Sequence, residues 1–435
     1  MSQIDRYKGK FELVATGDSL IFQKISLFKS QGFLDVRDII KNADAAFNNF
    51  ETIIPGDKGV PRYKRDATAW MTSPRYVLDE LKWMGFNLFS LANNHSMDYS
   101  EPGLIETIKA FDEAGVVHAG TGRNLSDARR PSYLNTEKAR LSLIAIDTSD
   151  NDGPAGESLG IIPGRSGINP LRYETIIRLP ESEFNKLNEV SRALDLPDAI
   201  EDKLNFLGHN FEVNDVANVV TKPYEPDRVG NLRSISQARK NSDFVIVSIH
   251  NHIKRRLGRA YFDDKIEYLS EFVEIFARDA IDAGADVILG HGHHCLNGIE
   301  IYNGCPIFYG LGNFISQSYD SNPKPYDWYE ARGLHEKYKL DENEIDLQPS
   351  LSGEDEKRKI RRLTTSVIAN IKFNNEKAEE VLLYPIELIK NDIQGGRPSL
   401  AKGSNAEEIL DRLSRLSADY GTKMKIEKGI GKIII

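Results

Sequence analysis

"ILGHGHHCLNG", residues 288–298, sets three histidines, His291, His293 and His294, directly behind an apolar run, in a 435-residue chain with only nine histidines. An apolar run that stops on imidazoles reads as a buried strand handing side chains to a loop. In α/β proteins ligands gather outside the carboxyl ends of strands, where loops converge on one crevice. The same ending recurs along the chain. "LVATGD" stops on Asp18, "AAFNNFE" on Glu51, "LFSLANNH" on Asn94 and His95, and "VIVSIHNH" on His250 and His252. Singly, each has an ordinary explanation: a Gly-Asp turn, a solvated carboxylate, an Asn-rich turn, a hydrogen-bonded core histidine. Together they predict one site.

Working outward, the apolar runs are short and β-rich, and helical segments separate them, which predicts an α/β fold with at least one large sheet. "SPRYVLDELKWMG" carries helix signals, with Ser73 as N-cap, Pro74 in the first turn and Gly85 past the end. "EPGLIETIKAFDEAG" closes on Gly115 in the same manner, and "YLSEFVEIFARDAIDAG" leads into the strand before the histidines. Two regions break the alternation: a Gly/Pro-rich stretch and polar helix at about 150–241, and a highly charged segment at 321–362. Both are expected as insertions, the second as surface decoration. The expected organisation is a domain over 1–320 with the 150–241 insertion, the charged segment, and C-terminal strands and helix over 363–435 completing it.

The net charge of −9 argues against a nucleic-acid partner, whose phosphates demand a basic face. The two cysteines, Cys295 and Cys305, cannot form a disulfide framework for so long a chain and suit a reducing compartment. The polar start lacks the apolar core of a signal peptide, and no apolar run approaches the ~20 residues of a membrane span. A cytoplasmic protein without membrane insertion is expected.

Carboxylates, imidazoles and an amide at converging strand ends form a divalent-metal donor set. Two dications about 3.5–4 Å apart need anionic ligands to offset their repulsion, with imidazoles and an amide carbonyl completing each shell. Neutral imidazoles suit Mn, Fe or Zn better than Mg or Ca alone. One or two such ions are expected. His95, beside Asn94, need not bind metal; with Asp98 holding its ring it could protonate a leaving group. Beyond His252 runs a basic cluster, Lys254, Arg255, Arg256 and Arg259. It reads either as a clamp for a carboxylate- or phosphate-bearing substrate, with His252 on the substrate side, or as a solvated loop.

In this order "ATGDSL", "NNFET", "LANNHSMDYSEPGL", "HAGTGRNLSDARRP", "SIHNH" and "DAGADVILGHGHHCLNGIEIYNGCPIFYGLGNFI" resemble the CapA family, the poly-γ-glutamate capsule proteins, themselves similar in fold to calcineurin-like metallophosphoesterases. The resemblance covers about Phe11 to Ile315; it is thin across 150–241, where only "PGRSGINPLR" matches, and weak after Ser316. It implies a four-layer α/β/β/α sandwich of metallophosphoesterase type with insertions, the metals at one edge. It also implies ligands at Asp18, Glu51, Asn94 and His250, with two of His291, His293 and His294, and a catalytic His95. The chain departs from the pattern at three places. Leu20 stands where the superfamily has the histidine of Asp-x-His, His293 where the family has proline, and "NHIKRRLGR" where it has tryptophan-glycine.

The function expected from this reading is a metal-dependent hydrolase of a phosphoester or a peptide-like γ-glutamyl amide. One alternative is a peptide epimerase using the same pocket, with His95 and Asp18 or Asp98 facing His291 or His294 as opposed bases. A second is a non-catalytic accessory protein of polyglutamate capsule synthesis.

Overall fold

Lys10–Leu20 is buried at almost every position, as expected of a strand with packed layers on both faces. The computed structural model describes residues 7–64, 69–149, 153–253, 269–317, 324–331, 360–389 and 395–435. In it Lys10–Leu20 is the axis of the larger sheet. Its first half pairs antiparallel with Thr365–Asn374, its last residues pair parallel with Asn313–Ser316, and its other edge pairs parallel with Ala45–Phe50. Leu88–Ser90 and Val117–Ala119 extend the sheet on that side. Lys377–Ile389 and Ile430–Ile434 extend it on the other. A second sheet runs Ile299–Tyr302, Cys305–Phe308, Val287–His291, Phe244–His250, Arg140–Asp147, Ser132–Asn135, with parallel pairing at its centre.

The sheets face each other across an apolar core in which Phe244 stacks on Phe11 at 5.0 Å between ring centroids and meets Phe373 at 4.7 Å. The outer face of the first sheet is covered by helices Gln31–Lys41, Val77–Met84 and Ser100–Ala114, which bury Val14, Phe50 and Phe89. Helices Glu225–Arg239 and Glu271–Asp282 do the same for Ile144, Val245, Val247 and Ile288 of the second. The result is the helix, sheet, sheet, helix order of an α/β sandwich.

Three local expectations are corrected. Helix Val77–Met84 ends on Gly85, left-handed at φ 108°, but starts after Ser73, because the Ser73 hydroxyl donates instead to Ile21 O at 2.6 Å and lies 2.7 Å from Thr52 Oγ1. Helix Glu225–Arg239, inside the stretch read as an insertion, belongs to the sandwich, since Ile235 and Ala238 pack on the second sheet. The preceding segment does form a small sheet of its own, Lys203–Phe206, His209–Val213, Tyr173–Leu179, Asn218–Pro223, anchored by Tyr173 stacked on Phe272. The charged segment is not surface decoration alone: Trp328 and Tyr329 are buried against Trp70. Among the described residues no helix is long and apolar enough to cross a membrane, and both cysteines are unbridged.

Candidate metal centre

The parallel strands of both sheets end at one edge of the sandwich. Asp18 sits where the first strand changes register against both parallel neighbours, an irregularity of the kind that re-aims a side chain. Glu51 follows Ala45–Phe50 directly, its N–H donating to Ser19 O at 3.2 Å. Asn93 braces the turn carrying Asn94 and His95: its amide donates to Phe50 O at 2.8 Å and its Oδ1 accepts from His95 N at 3.1 Å. His250 and His291 are register partners at the ends of adjacent strands.

These ends bring two buried carboxylates and four histidines together. Asp18 Oδ1 lies 3.4 Å from His291 Nδ1 and 3.9 Å from His250 Nδ1, and its Oδ2 lies 3.5 Å from His294 Nδ1. Glu51 Oε1 lies 3.6, 3.7 and 3.8 Å from the Nε2 atoms of His294, His250 and His252. Asn94 Oδ1 is 3.1 Å from His250 Nε2. A surrounding layer orients these groups, as outer hydrogen bonds do around metal ligands. Ser248 Oγ is 2.7 Å from His291 Nε2, and Asn313 Oδ1 is 2.8 Å from His294 Nδ1. Asp18 accepts from Asn49 Nδ2 at 2.8 Å and from Gly292 N at 3.0 Å. His294 is itself left-handed, φ 58°, a conformation non-glycine residues hold mainly where the surroundings enforce it.

The electrostatics show the strain of this grouping. Burial works against ionisation of Asp18, but His291 and His294 outweigh it and hold its carboxyl well below the usual range. Burial, opposed by His294 and reinforced by Asp18 and Asp147, pushes Glu51 well above that range. Burial also depresses His250 and His252, each reinforced by neighbouring imidazoles. His294 goes the other way: burial would lower it, but Glu51 and Asp18 raise it to about 9. Both Glu51 oxygens are buried without a hydrogen-bond partner among the described residues, which is costly for a carboxylate unless a cation compensates. The orphaned acid, the anionic Asp18 and the imidazole nitrogens turned toward them fit a divalent ion. Three groups meet the spacing for one: Asp18, His250 and His291; Glu51, His250 and His252; and Asp18, Glu51 and His294.

Beside this cluster His95 Nδ1 lies 2.8 Å from Asp98 Oδ2, and Asp98 Oδ1 lies 2.5 Å from Lys64 Nζ. Met71 N also donates to Asp98, at 2.7 Å. Burial opposes ionisation of Asp98, yet His95 and then Lys64 keep its pKa lowered. An ionised Asp98 can only accept, so His95 Nδ1 carries the proton and Nε2, 3.4 Å from Asn94 Nδ2, faces the cluster.

Asp18, Glu51, Asn94, His250, His291 and His294 thus converge. His252, expected on the substrate side, turns inward to Glu51. His293 does not join them: its nitrogens lie 3.5 Å from Asn251 Nδ2 and 3.4 Å from Asn297 Nδ2, and no metal-type group among the described residues includes it. Leu20 packs with Phe22 and Met71 and brings no donor. Lys254, Arg255, Arg256 and Arg259 lie outside the described residues. Sequence reasoning missed Asp147, the register partner of His250 at the end of "LSLIAID", although that strand shows the same apolar run closed by a ligand. Lys64, Asn49, Ser248 and Asn313 carried no such signal.

Residues 12–318 match the family model described as bacterial capsule synthesis protein PGA_cap. The uncharacterized protein y4sH of Sinorhizobium fredii is 32% identical over 97% of this chain and 93% of its own length. The capsule biosynthesis protein CapA of Bacillus anthracis is 26% identical over 65% of this chain and 53% of its own. A probable polyglutamine synthesis accessory protein of Mycobacterium tuberculosis is 26% identical over 58% and 47%. With the family match spanning well over half of it and one relative aligned nearly end to end, this chain belongs to the bacterial capsule synthesis protein family of CapA type.

Proposed function

We propose that the protein is a divalent-metal-dependent hydrolase acting on a γ-glutamyl amide or a phosphoester. The observation that carries this reading is the pair of fully buried carboxylates, Asp18 and Glu51, facing shared imidazoles, with an Asp98-held His95 beside Asn94, whose Oδ1 reaches His250. Divalent ions bound there would supply a water activated near neutral pH and neutralise charge on the scissile group. The protein's own parts have separate tasks. Asp18, Glu51, Asn94, His250, His291 and His294 hold the ions; Ser248 and Asn313 fix the ring orientation of His291 and His294. His95, its Nδ1 proton committed to Asp98, would take up a second proton at Nε2 from solvent and deliver it to the leaving nitrogen or oxygen. The relatives' names, capsule biosynthesis and polyglutamine synthesis, together with the poly-γ-glutamate resemblance of the sequence motifs, make the γ-glutamyl amide the first substrate to try.

The test is elemental analysis of protein purified without chelator, followed by assays on γ-glutamyl oligomers and a bis-aryl phosphate with added Mn(II) or Zn(II). Cleavage is expected, abolished by chelator, with Asp18→Asn and His95→Ala lowering kcat by about 10²–10⁴-fold. No turnover of either class with any of these ions would overturn it. Oligomer recovered from deuterated water with unchanged length and one added deuterium would replace hydrolysis by epimerisation. Metal binding without any turnover would favour the accessory role printed in the name of the Mycobacterium relative.

A further inference from the structure

We propose that His252 is a metal ligand that completes the Glu51 side of the centre and is not a substrate contact. The assignment rests on the reading that the cluster binds divalent ions, and it adds a donor drawn from this chain's own geometry. His250 closes the strand Phe244–His250, and His252 follows it in the turn that leaves the strand. The two rings nevertheless converge: His252 Nε2 lies 3.0 Å from His250 Nε2, with ring centroids 4.8 Å apart, and 3.8 Å from Glu51 Oε1. Its ring also lies 5.6 Å from that of His294. Nitrogens bound to one ion at about 2.0–2.1 Å sit roughly 3.0–3.4 Å from each other, the range in which the two Nε2 atoms already stand.

The direction of His252 is built into the turn. Asn251 N donates to His291 O at 2.9 Å. Asn251 Oδ1 accepts from Ile253 N at 2.9 Å and from Thr148 Oγ1 at 2.7 Å, and its Nδ2 donates to Ile253 O at 3.2 Å. The residue between His250 and His252 is therefore tied to the second sheet and to Ile253 on the far side of His252, leaving His252 little freedom to swing outward. With His252 the Glu51 side offers one carboxylate, two imidazoles and the Asn94 carbonyl. Such a mixed oxygen and nitrogen set favours Mn, Fe, Co or Zn over Mg.

The experiment uses the full chain, stripped with chelator and titrated with Co(II), reading bound metal per chain, competition against a chromophoric chelator and the visible Co(II) spectrum. His252→Ala is expected to weaken Co(II) binding at one site by tenfold or more and to change the spectrum, while His252→Asp, still able to donate an oxygen, retains more affinity than Ala. The exposed His209→Ala serves as control. Unchanged stoichiometry, affinity and spectrum in His252→Ala would overturn the assignment and leave the metal reading standing. Failure of the wild-type chain to bind Co(II), Mn(II) or Zn(II) at all would overturn both. Should His252→Ala not fold, the visible Co(II) spectrum of His252→Asp decides: bands shifted from wild type by the exchange of a nitrogen donor for oxygen support the ligand role, and a spectrum and affinity identical to wild type overturn it.

Discussion

Glu51 is the residue at which folding and function pull hardest against each other. Its carboxyl is fully buried, and both oxygens lack a hydrogen-bond partner among the described residues. Without a bound cation that arrangement costs stability, because a buried acid must either stay protonated or carry an uncompensated charge. Glu51→Gln keeps the shape and removes the charge, so the chelator-treated variant is expected to be more stable than chelator-treated wild type by on the order of 1–3 kcal/mol. The variant should also lose most of the stabilisation that Mn(II) or Zn(II) gives the wild type. Denaturant titrations with and without metal check both, and a variant less stable without metal would contradict the reading of Glu51 as a held-open ligand. Asp98 presents the opposite case. Its carboxyl is held below its ordinary value of 3.8 because His95 and Lys64 outweigh burial. A depressed carboxyl contributes stability that is fully present above the unfolded pKa and is lost as pH falls through the lower folded pKa. The stability gap between wild type and Asp98→Asn is therefore expected to be wide at pH 7, about 3–5 kcal/mol for breaking a buried pair. It should narrow only below about pH 4, where the unfolded carboxyl begins to protonate, as urea unfolding at a series of pH values would show.

At the level of strands and turns, the site depends on two loops from neighbouring strands passing very close together. Gly292, left-handed at φ 105°, follows His291, and a Cβ there would stand 2.8 Å from the backbone N and O of Asn251. Its own N–H reaches Asp18 across to the other sheet. Gly292→Ala would force apart the loop carrying His250 and His252 and the loop carrying His291 and His294. The expected result is a loss of several kcal/mol in stability and a drop in metal affinity of ten-fold or more, checked by thermal unfolding and Co(II) titration. This level also separates what the chain's letters reveal from what they conceal. The strands were readable because each is a short apolar run, and the residues that meet were readable because each run closes on a ligand type. What stayed hidden depends on contacts remote in sequence. Ser73 looks like a helix cap until Ile21 O claims its hydroxyl. Lys64 lies in a polar stretch with no periodicity, and only the fold sets it against Asp98. Trp328 sits in a charged segment whose composition suggests solvent, yet it packs on Trp70. His252 looked like the start of a basic loop, and only the Asn251 turn shows its inward aim.

For the whole molecule, the question is how much chain the centre needs. The family match stops at residue 318, but the sheet that carries Asp18 does not. Thr365–Asn374 pairs along the first half of Lys10–Leu20, Lys377–Ile389 pairs with that strand in turn, and both bury side chains in the core between the sheets. The helix Ser404–Ala418 adds Ile409, Leu410 and Leu413 to the same core. The dependence reaches the site as well. Asn313, which orients His294, donates through Nδ2 to Leu363 O at 3.0 Å, and its own carbonyl accepts from Ser366 Oγ at 2.6 Å. A chain cut after residue 318 would leave the strand bearing Asp18 with an open edge along its first half. Exposed hydrogen-bonding groups and apolar side chains of that kind drive edge-to-edge association. The truncated protein is therefore expected to be insoluble, or compact without fixed tertiary packing, and to bind metal weakly despite retaining every proposed ligand. Near-UV circular dichroism, sedimentation and Co(II) titration would report this. A soluble monomeric fragment with wild-type metal affinity would show that the C-terminal strands are dispensable and that Asn313 holds His294 without help from residues 363–366.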